Sequence, residues 1–252
     1  ESRGRNPEVI SGRVYKPLDT AVPQQFFATS MILTPLLRGM MGIEVDAPAG
    51  TLTVAPWMPL GETGVRVERL WIGRTQVDLS VTMGRGDVQL QLTRVAGDSG
   101  RMIGVTFNPA AGTRAVFGEL RAGQRSLQLS APRSDAPEVR FPERAARVGD
   151  RSRAVRVVSL RTGDGKLRLT IEALAGDTAI GFVRGATSVE GAGDVVFAPP
   201  GRAWTSVDAR AAWGNLADRL RQAGAVPVLI PMPTTGADAD GYVRREVVFR
   251  SP

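Results

Sequence analysis

The chain has 252 residues, of which 42% are hydrophobic and 23% charged, enough to bury one large core or two modest ones. It contains no cysteine and no histidine, which excludes disulfides, thiol nucleophiles, zinc sites with Cys or His ligands and Ser-His-Asp triads. The formal charge of +7 is a weak indication of nucleic-acid binding. Because the arginines are scattered along strand-like segments without interleaved aromatic residues, we expect no nucleic-acid partner.

A long apolar helix is predicted over residues 24–41. Pro23 lies in its first turn, Pro35 should kink it, and Gly39 and Gly42 should end it. The apolar residues nearly encircle this helix, as is typical of a helix buried among other helices. No second long apolar helix is predicted, so we expect its neighbours in preceding sequence or in another chain. No apolar run approaches the roughly 20 residues of a membrane span, and we expect no membrane partner.

From residue 43 onward apolar and polar residues alternate with a period of two, and Gly, Pro and Asp turns separate the runs. This pattern predicts antiparallel strands with one buried face, as in a β-sandwich. The fold class predicted from the sequence is therefore mainly β. The predicted strands are 43–46, 51–55, 65–72, 75–83, 87–95, 102–107, 115–120, 126–129, 154–160, 166–174, 178–184, 194–198, 226–230 and 242–249.

The strands divide into groups. Residues 43–130 are predicted to form a β-sandwich, and 154–252 to form further β-sandwich strands. The stretch 131–153 is rich in Pro, Arg and Asp and is predicted to be a loop or linker. One short amphipathic helix is predicted near the C-terminus; it ends at Gly224 and places on one face Trp213, Leu216, Ala217 and Leu220.

Two further features bear on ligands. Tryptophans are typical platforms for sugar rings, but core packing is the prediction for each of the four, Trp57, Trp71, Trp204 and Trp213. Asp238 and Asp240 lack the full ligand spacing of a calcium loop, and they predict a polar turn. We expect no metal site and no cofactor.

Four runs of the sequence carry a resemblance to a known family. They are Pro-Glu-Val-Ile-Ser-Gly at 7–12, Val-Pro-Gln-Gln-Phe-Phe-Ala-Thr-Ser at 22–30, Thr-Pro-Leu-Leu-Arg-Gly-Met-Met-Gly-Ile-Glu-Val-Asp at 34–46 and Leu-Thr-Val-Ala-Pro-Trp-Met-Pro at 52–59. Together they resemble the junction between the (α/α)6 catalytic barrel and the C-terminal β-domain of six-hairpin glycosidases, most closely the bacterial amylo-α-1,6-glucosidase or glycogen-debranching type. The resemblance implies that residues 1–42 are the terminal segment of the barrel and that 24–41 is its last buried helix.

The resemblance also implies a site. Glu8 matches the carboxylate that acts as the general base in this family, although an exposed loop glutamate is the alternative. Gln24 and Gln25 open the helix, where they could hydrogen-bond a sugar hydroxyl or cap the loop backbone. Tyr15 and Lys16 lie in the same loop and could line a substrate subsite. The general acid lies far upstream in the family and is absent from this chain.

The sequence thus predicts the C-terminal portion of an inverting glycoside hydrolase that acts on an α-linked glucan or related glycan. The expected partners are the glycan substrate and an N-terminal catalytic (α/α)6 segment or companion chain, without which the chain should be inactive. The alternative is a non-catalytic carbohydrate-binding or structural β-sandwich module. A third possibility, which rests on charge alone, is a nucleic-acid or polyanion binder.

Overall fold

The architecture is that of a computed structural model, which describes residues 31–109, 114–142, 154–190, 193–197 and 214–250. Within these residues the protein is mainly β, as predicted. The chain divides into two compact units, whose described residues are 31–134 and 135–250. Each unit contains two four-stranded sheets.

The first unit has eight strands: β1 (Glu44–Asp46), β2 (Thr51–Val54), β3 (Gly64–Ile72), β4 (Thr75–Met83), β5 (Asp87–Gly97), β6 (Ile103–Phe107), β7 (Val116–Leu120) and β8 (Ser126–Pro132). One sheet has the order β1-β2-β6-β7 and the other β3-β4-β5-β8. Alternate residues of β4 are buried, among them Val77, Leu79 and Val81, because a strand presents every second side chain to the same face. Side chains from both sheets belong to one buried cluster, so the unit is a β-sandwich.

One strand pair departs from the antiparallel prediction. Strand β2 pairs with β6 in parallel, with Leu52 opposite Val105. Strands β3 to β5 lie between them in the sequence and belong to the other sheet. This long crossover allows β6 to return beside β2 in the same direction.

The second unit also has eight strands: β9 (Glu138–Arg140), β10 (Arg156–Gly163), β11 (Lys166–Leu174), β12 (Thr178–Arg184), β13 (Ser188–Glu190), β14 (Val196–Phe197), β15 (Val226–Pro231) and β16 (Tyr242–Arg250). The sheets have the orders β10-β11-β16-β13 and β14-β15-β12-β9. Both contribute to a second buried cluster, which includes Leu169, Val183 and Val228.

The short helix predicted near the C-terminus is present as α1 (Asn215–Gln222). Ala217 and Leu220 are buried and Leu216 is half-buried, which confirms the predicted apolar face for these three residues. Gly224 follows the helix with φ of +77°. Glycine adopts this left-handed conformation without the Cβ clash of other residues, so it ends the helix as predicted.

Strands β9 and β13 were not predicted. Each has only three residues, too few for an alternating pattern to be recognised in the sequence. They form by pairing with the edges of longer strands, β9 with β12 and β13 with β16. The stretch 131–153 is described only to residue 142, and that part contains the end of β8 and all of β9.

The helix predicted over 24–41 is described from residue 31 onward. Residues 31–34 form an α-helical turn, and Pro35–Met40 form a π-helix in which the N–H of Met41 donates to the carbonyl of Leu36 at 2.9 Å. Proline has no N–H to donate, so the hydrogen-bond ladder is interrupted at the residue where a kink was expected. Gly42, with φ of +54°, ends the helix as predicted.

The apolar surface of this helical segment is divided. Leu37 and Met40 pack against the core of the first sandwich, and Met41 is only 1% exposed. The apolar side chains nearer its start lie open to solvent: Met31 is 72% exposed, Ile32 43%, Leu33 54% and Leu36 41%. Among the described residues, these four side chains therefore lack the burial that was expected for them.

Gly42 provides a test of this junction. A Cβ at Gly42 would lie 2.4 Å from the carbonyl oxygen of Ala55 in a backbone conformation that disfavours side chains. Gly42→Ala should therefore lower the free energy of unfolding by about 2 kcal/mol, measured by urea denaturation. Gly39→Ala is the matched control, because a Cβ there meets nothing within 4 Å. Equal stability of the two variants would contradict this description of the junction.

Candidate functional site

The five site residues predicted from the sequence lie outside the described residues. They are Glu8, Tyr15, Lys16, Gln24 and Gln25. Their roles remain predictions, and the described residues carry other groups that could contact a ligand.

Two of the four tryptophans contradict the expectation of core packing. Trp57 is 69% exposed and Trp71 is 56% exposed. Trp71 stands opposite Gln76 on the solvent face of its sheet, while the adjacent Ile72 takes the buried phase of the strand. The sequence Leu-Trp-Ile permits either phase, so alternation alone could not decide between them. Trp204 and Trp213 lie outside the described residues.

An open groove is lined by residues of β2, β6 and β7 together with Leu127 of β8. It has a volume of about 840 Å³, and its described lining includes Thr51, Gly104, Thr106 and Phe117. Gly104 stands opposite Thr51 on one side and Glu119 on the other, so the sheet lacks a side chain at that point. The ring of Phe117 is 72% exposed. The groove therefore combines a bare backbone floor with an aromatic wall.

Polar groups stand at one end of this groove. Glu119 and Arg121 line it, with the Arg121 Nε 3.9 Å from the Glu119 carboxylate, and both side chains are more than half exposed. The amide of Gln124 accepts from the backbone N–H of Arg121 at 3.1 Å and donates to the carbonyl of Ser126 at 2.7 Å. Gln124 thus stabilises the turn that contains Arg121. The Glu119–Arg121 pair stays accessible to a ligand.

The chemistry of the groove favours binding over hydrolysis. Glycoside hydrolysis typically needs two carboxyl groups on either side of the scissile bond. Glu119 is the one carboxylate among the described lining residues. The aromatic ring, hydroxyls and charges instead suit a ligand with both apolar and hydrogen-bonding faces.

Sequence reasoning missed Phe117 and Glu119 as surface groups, although the signal was present. In Val-Phe-Gly-Glu-Leu the alternate residues Val116, Gly118 and Leu120 point inward, so the intervening Phe117 and Glu119 must point to solvent. Leu120 is fully buried, which fixes this phase.

A second polar feature lies on the outer face of the β3-β4-β5-β8 sheet. Strand β3 bulges between Val67 and Leu70, where Arg69 has a φ of 57°. The Asp78 carboxylate accepts from the backbone N–H of Arg69 at 2.9 Å and from the guanidinium of Arg66 at 2.9 Å. The backbone hydrogen bond, followed by the contact with Arg66, holds the pKa of Asp78 below its ordinary value. Through these two hydrogen bonds Asp78 stabilises the bulge that precedes Trp71.

Within the described ranges, no group of three or more His, Cys, Asp or Glu side chains is placed to hold a metal ion. Asp238 accepts from the backbone N–H groups of Asp240 and Tyr242, which confirms the predicted polar turn. No helix in the part of the chain that the structure describes is long and apolar enough to cross a membrane.

Comparison of the chain with family models, with curated proteins and with solved structures gave no match.

The Asp78 contacts predict a pH dependence. Because the pKa of Asp78 is lower in the folded state, its contribution to stability is present above the ordinary value of about 3.9 and is lost as the pH falls through the folded-state pKa. Asp78→Asn should therefore lose less stability than the wild type between about pH 5 and pH 2, measured by urea midpoints. Asp164→Asn, in the exposed turn of the second unit, controls for the loss of one carboxylate. An unchanged pH profile in Asp78→Asn would contradict the role of this carboxylate.

Proposed function

We propose that this chain is the β-sandwich-bearing part of a glycoside hydrolase with an (α/α)6 catalytic barrel, and that its first unit buttresses that barrel. Two features support the proposal. The runs between Pro7 and Pro59 resemble the barrel-to-sandwich junction of six-hairpin glycosidases. The observation that carries it is the exposure of four apolar residues at the start of the described helical segment, Met31, Ile32, Leu33 and Leu36.

The exposed side chains favour a helical neighbour on energetic grounds. Complete burial of one such side chain is worth about 1.5–3 kcal/mol relative to full exposure, so side chains near half exposure each retain about 1 kcal/mol. Burial of all four would therefore add about 4 kcal/mol to an interface. The segment is anchored at its other end, since Leu37 and Met40 pack on the sandwich. A barrel that docks on this side would therefore be held at a fixed position relative to the first unit.

In the proposed enzyme Glu8 is the general base. Its carboxylate would take a proton from water as the water attacks the anomeric carbon, and a carboxylic acid on the barrel would protonate the leaving oxygen. In inverting enzymes the two carboxyl groups stand roughly 6.5–9.5 Å apart to admit that water. Tyr15, Lys16, Gln24 and Gln25 are proposed to line the subsites of an α-linked glucan.

The role of Glu8 is testable in the protein that carries the barrel. Glu8→Gln keeps the size of the side chain and removes the base, so hydrolysis of an α-glucan should fall by about 10²–10⁴-fold. Glu246→Gln is the matched control, since Glu246 is an exposed strand residue of the second unit. Activity of Glu8→Gln within a few-fold of wild type would remove Glu8 from the mechanism.

A second candidate function is glycan binding without hydrolysis, and the groove beside Phe117 favours it. A pyranose ring could lie on the exposed Phe117 ring while its hydroxyls reach Thr51, Thr106 and the Glu119–Arg121 pair. Gly104 leaves the floor open for the sugar. This function requires no second carboxylate and no partner chain.

Affinity electrophoresis of the chain in gels that contain a soluble α-glucan tests this candidate. Phe117→Ala should weaken retardation by about two- to tenfold, the range expected for a lost ring contact. Gly104→Val should also weaken it, because its side chain would fill the floor at a strand position that accepts β-branched residues. Trp57→Ala is the control, since Trp57 is equally exposed but is not among the described lining residues. Equal retardation of all four proteins would exclude the groove.

A further inference from the structure

The outer face of the β10-β11-β16-β13 sheet carries arginines that are mostly matched by carboxylates. Arg244 binds Glu172 on the adjacent strand at 2.6 Å. Arg250 and Lys166 share the Glu190 carboxylate, with Lys166 Nζ at 2.9 Å. On this face a carboxylate therefore stands beside these basic side chains and offsets their charge.

Arg161 and Arg168 break this pattern. They are direct partners across β10 and β11, and Arg168 faces the apolar Val248 on its other side. Both side chains are exposed, and within the described part of the chain neither forms an ion pair. Side chains of direct strand partners stand about 5 Å apart, and like charges in that position destabilise the pair by about 0.2–1 kcal/mol. An arrangement that costs stability in the free protein would be stabilised by a bound anion.

The hairpin between the two strands holds these arginines in place. The turn consists of Asp164 and Gly165, with φ of 52° and 67°. Two positive φ values in a two-residue Asp-Gly turn are typical of the tight type I′ hairpin. Gly163 and Lys166 close the hairpin as partners, only two residues from the arginine pair. The two guanidinium groups are therefore presented on a short, ordered element.

We propose that Arg161 and Arg168 bind the carboxylates of an acidic, uronate-bearing polysaccharide. Guanidinium groups bind carboxylates with paired hydrogen bonds, and Glu172 already fills this role for Arg244 on the same face. The ligand would thus continue the alternation of charges that the protein itself supplies elsewhere on the sheet. This inference depends on charge complementarity in the second unit and not on the hydrolase proposal.

The chemistry of the face favours a polysaccharide over a nucleic acid. Proteins that bind single strands combine positive charge with aromatic rings on which bases stack. The Tyr242 ring, on a strand of the same sheet, is only 5% exposed, and the Arg156 guanidinium lies 3.9 Å above its centroid. A flat sheet face also does not enter the groove of a duplex as a helix or β-ribbon does.

The test is affinity electrophoresis of the purified chain against polygalacturonate at low ionic strength. Retardation by polygalacturonate should exceed any retardation by the neutral α-glucan pullulan, and only the retardation by polygalacturonate should be reduced by added salt. The double variant Arg161→Gln with Arg168→Gln should lower the apparent affinity about tenfold, since each exposed ion pair contributes up to about fivefold. Its melting temperature should stay equal or rise slightly, because the like-charge contact is removed.

The matched control is Arg74→Gln with Arg85→Gln, which removes the same charge from exposed positions of the first unit. Retardation close to wild type in this control, with loss in the Arg161 and Arg168 variant, supports the site. Equal loss in both variants would show a net-charge effect and overturn it. Absence of retardation by polygalacturonate, or tighter binding of a single-stranded oligonucleotide, would overturn it as well. α-Glucan hydrolysis by the barrel-bearing protein is measured separately, so failure of one proposal leaves the other standing.

Discussion

The packing of one end of an apolar helical segment on a β-sandwich is the contact on which the functional account depends. Leu37, Met40 and the buried Met41 join the segment to the first core, and Gly42 turns the chain into β1. The same segment leaves its earlier apolar side chains in solvent. Exposure of such an apolar surface to water is unfavourable, and its burial in an interface lowers the free energy. The helical segment therefore links the first β-sandwich to the proposed (α/α)6 barrel.

In both units the inner and outer faces of the sheets have different roles. Inner faces supply closed apolar clusters in both units. Outer faces carry the groups that could meet ligands: the Phe117 groove in the first unit and the Arg161–Arg168 pair in the second. Because strand alternation separates the two sets of side chains, an outer face can change its chemistry without disturbing the core. Binding surfaces can therefore be added to such a scaffold independently of one another.

Sequence alternation predicted most of the strands, because a half-buried strand of five or more residues carries its own signal, as in β4 and β11. Strands β9 and β13 were not predicted, because they form by pairing with a neighbouring strand and carry no alternating pattern of their own.

The candidate ligand-binding groups were harder to predict from the sequence than the strands. Phe117 was visible in the phase of its strand, whereas the groove beside it depends on Gly104 lying opposite Thr51, a register that only the sheet topology sets. The Arg161–Arg168 pair, in contrast, follows from local sequence, because the two-residue Asp164-Gly165 turn sets the register of its hairpin.

The most direct test is the reactivity of a cysteine introduced into the exposed helical segment. Because the chain contains no cysteine, the introduced thiol is the one group that a maleimide labels. Leu33→Cys should react rapidly with a maleimide in this chain, where Leu33 is 54% exposed. When the proposed barrel is present, on the same or a companion chain, labelling of Leu33→Cys should slow by at least about tenfold, while Phe117→Cys stays reactive. Equal labelling of Leu33→Cys with and without the barrel would contradict the claim that the start of this helical segment is an interface.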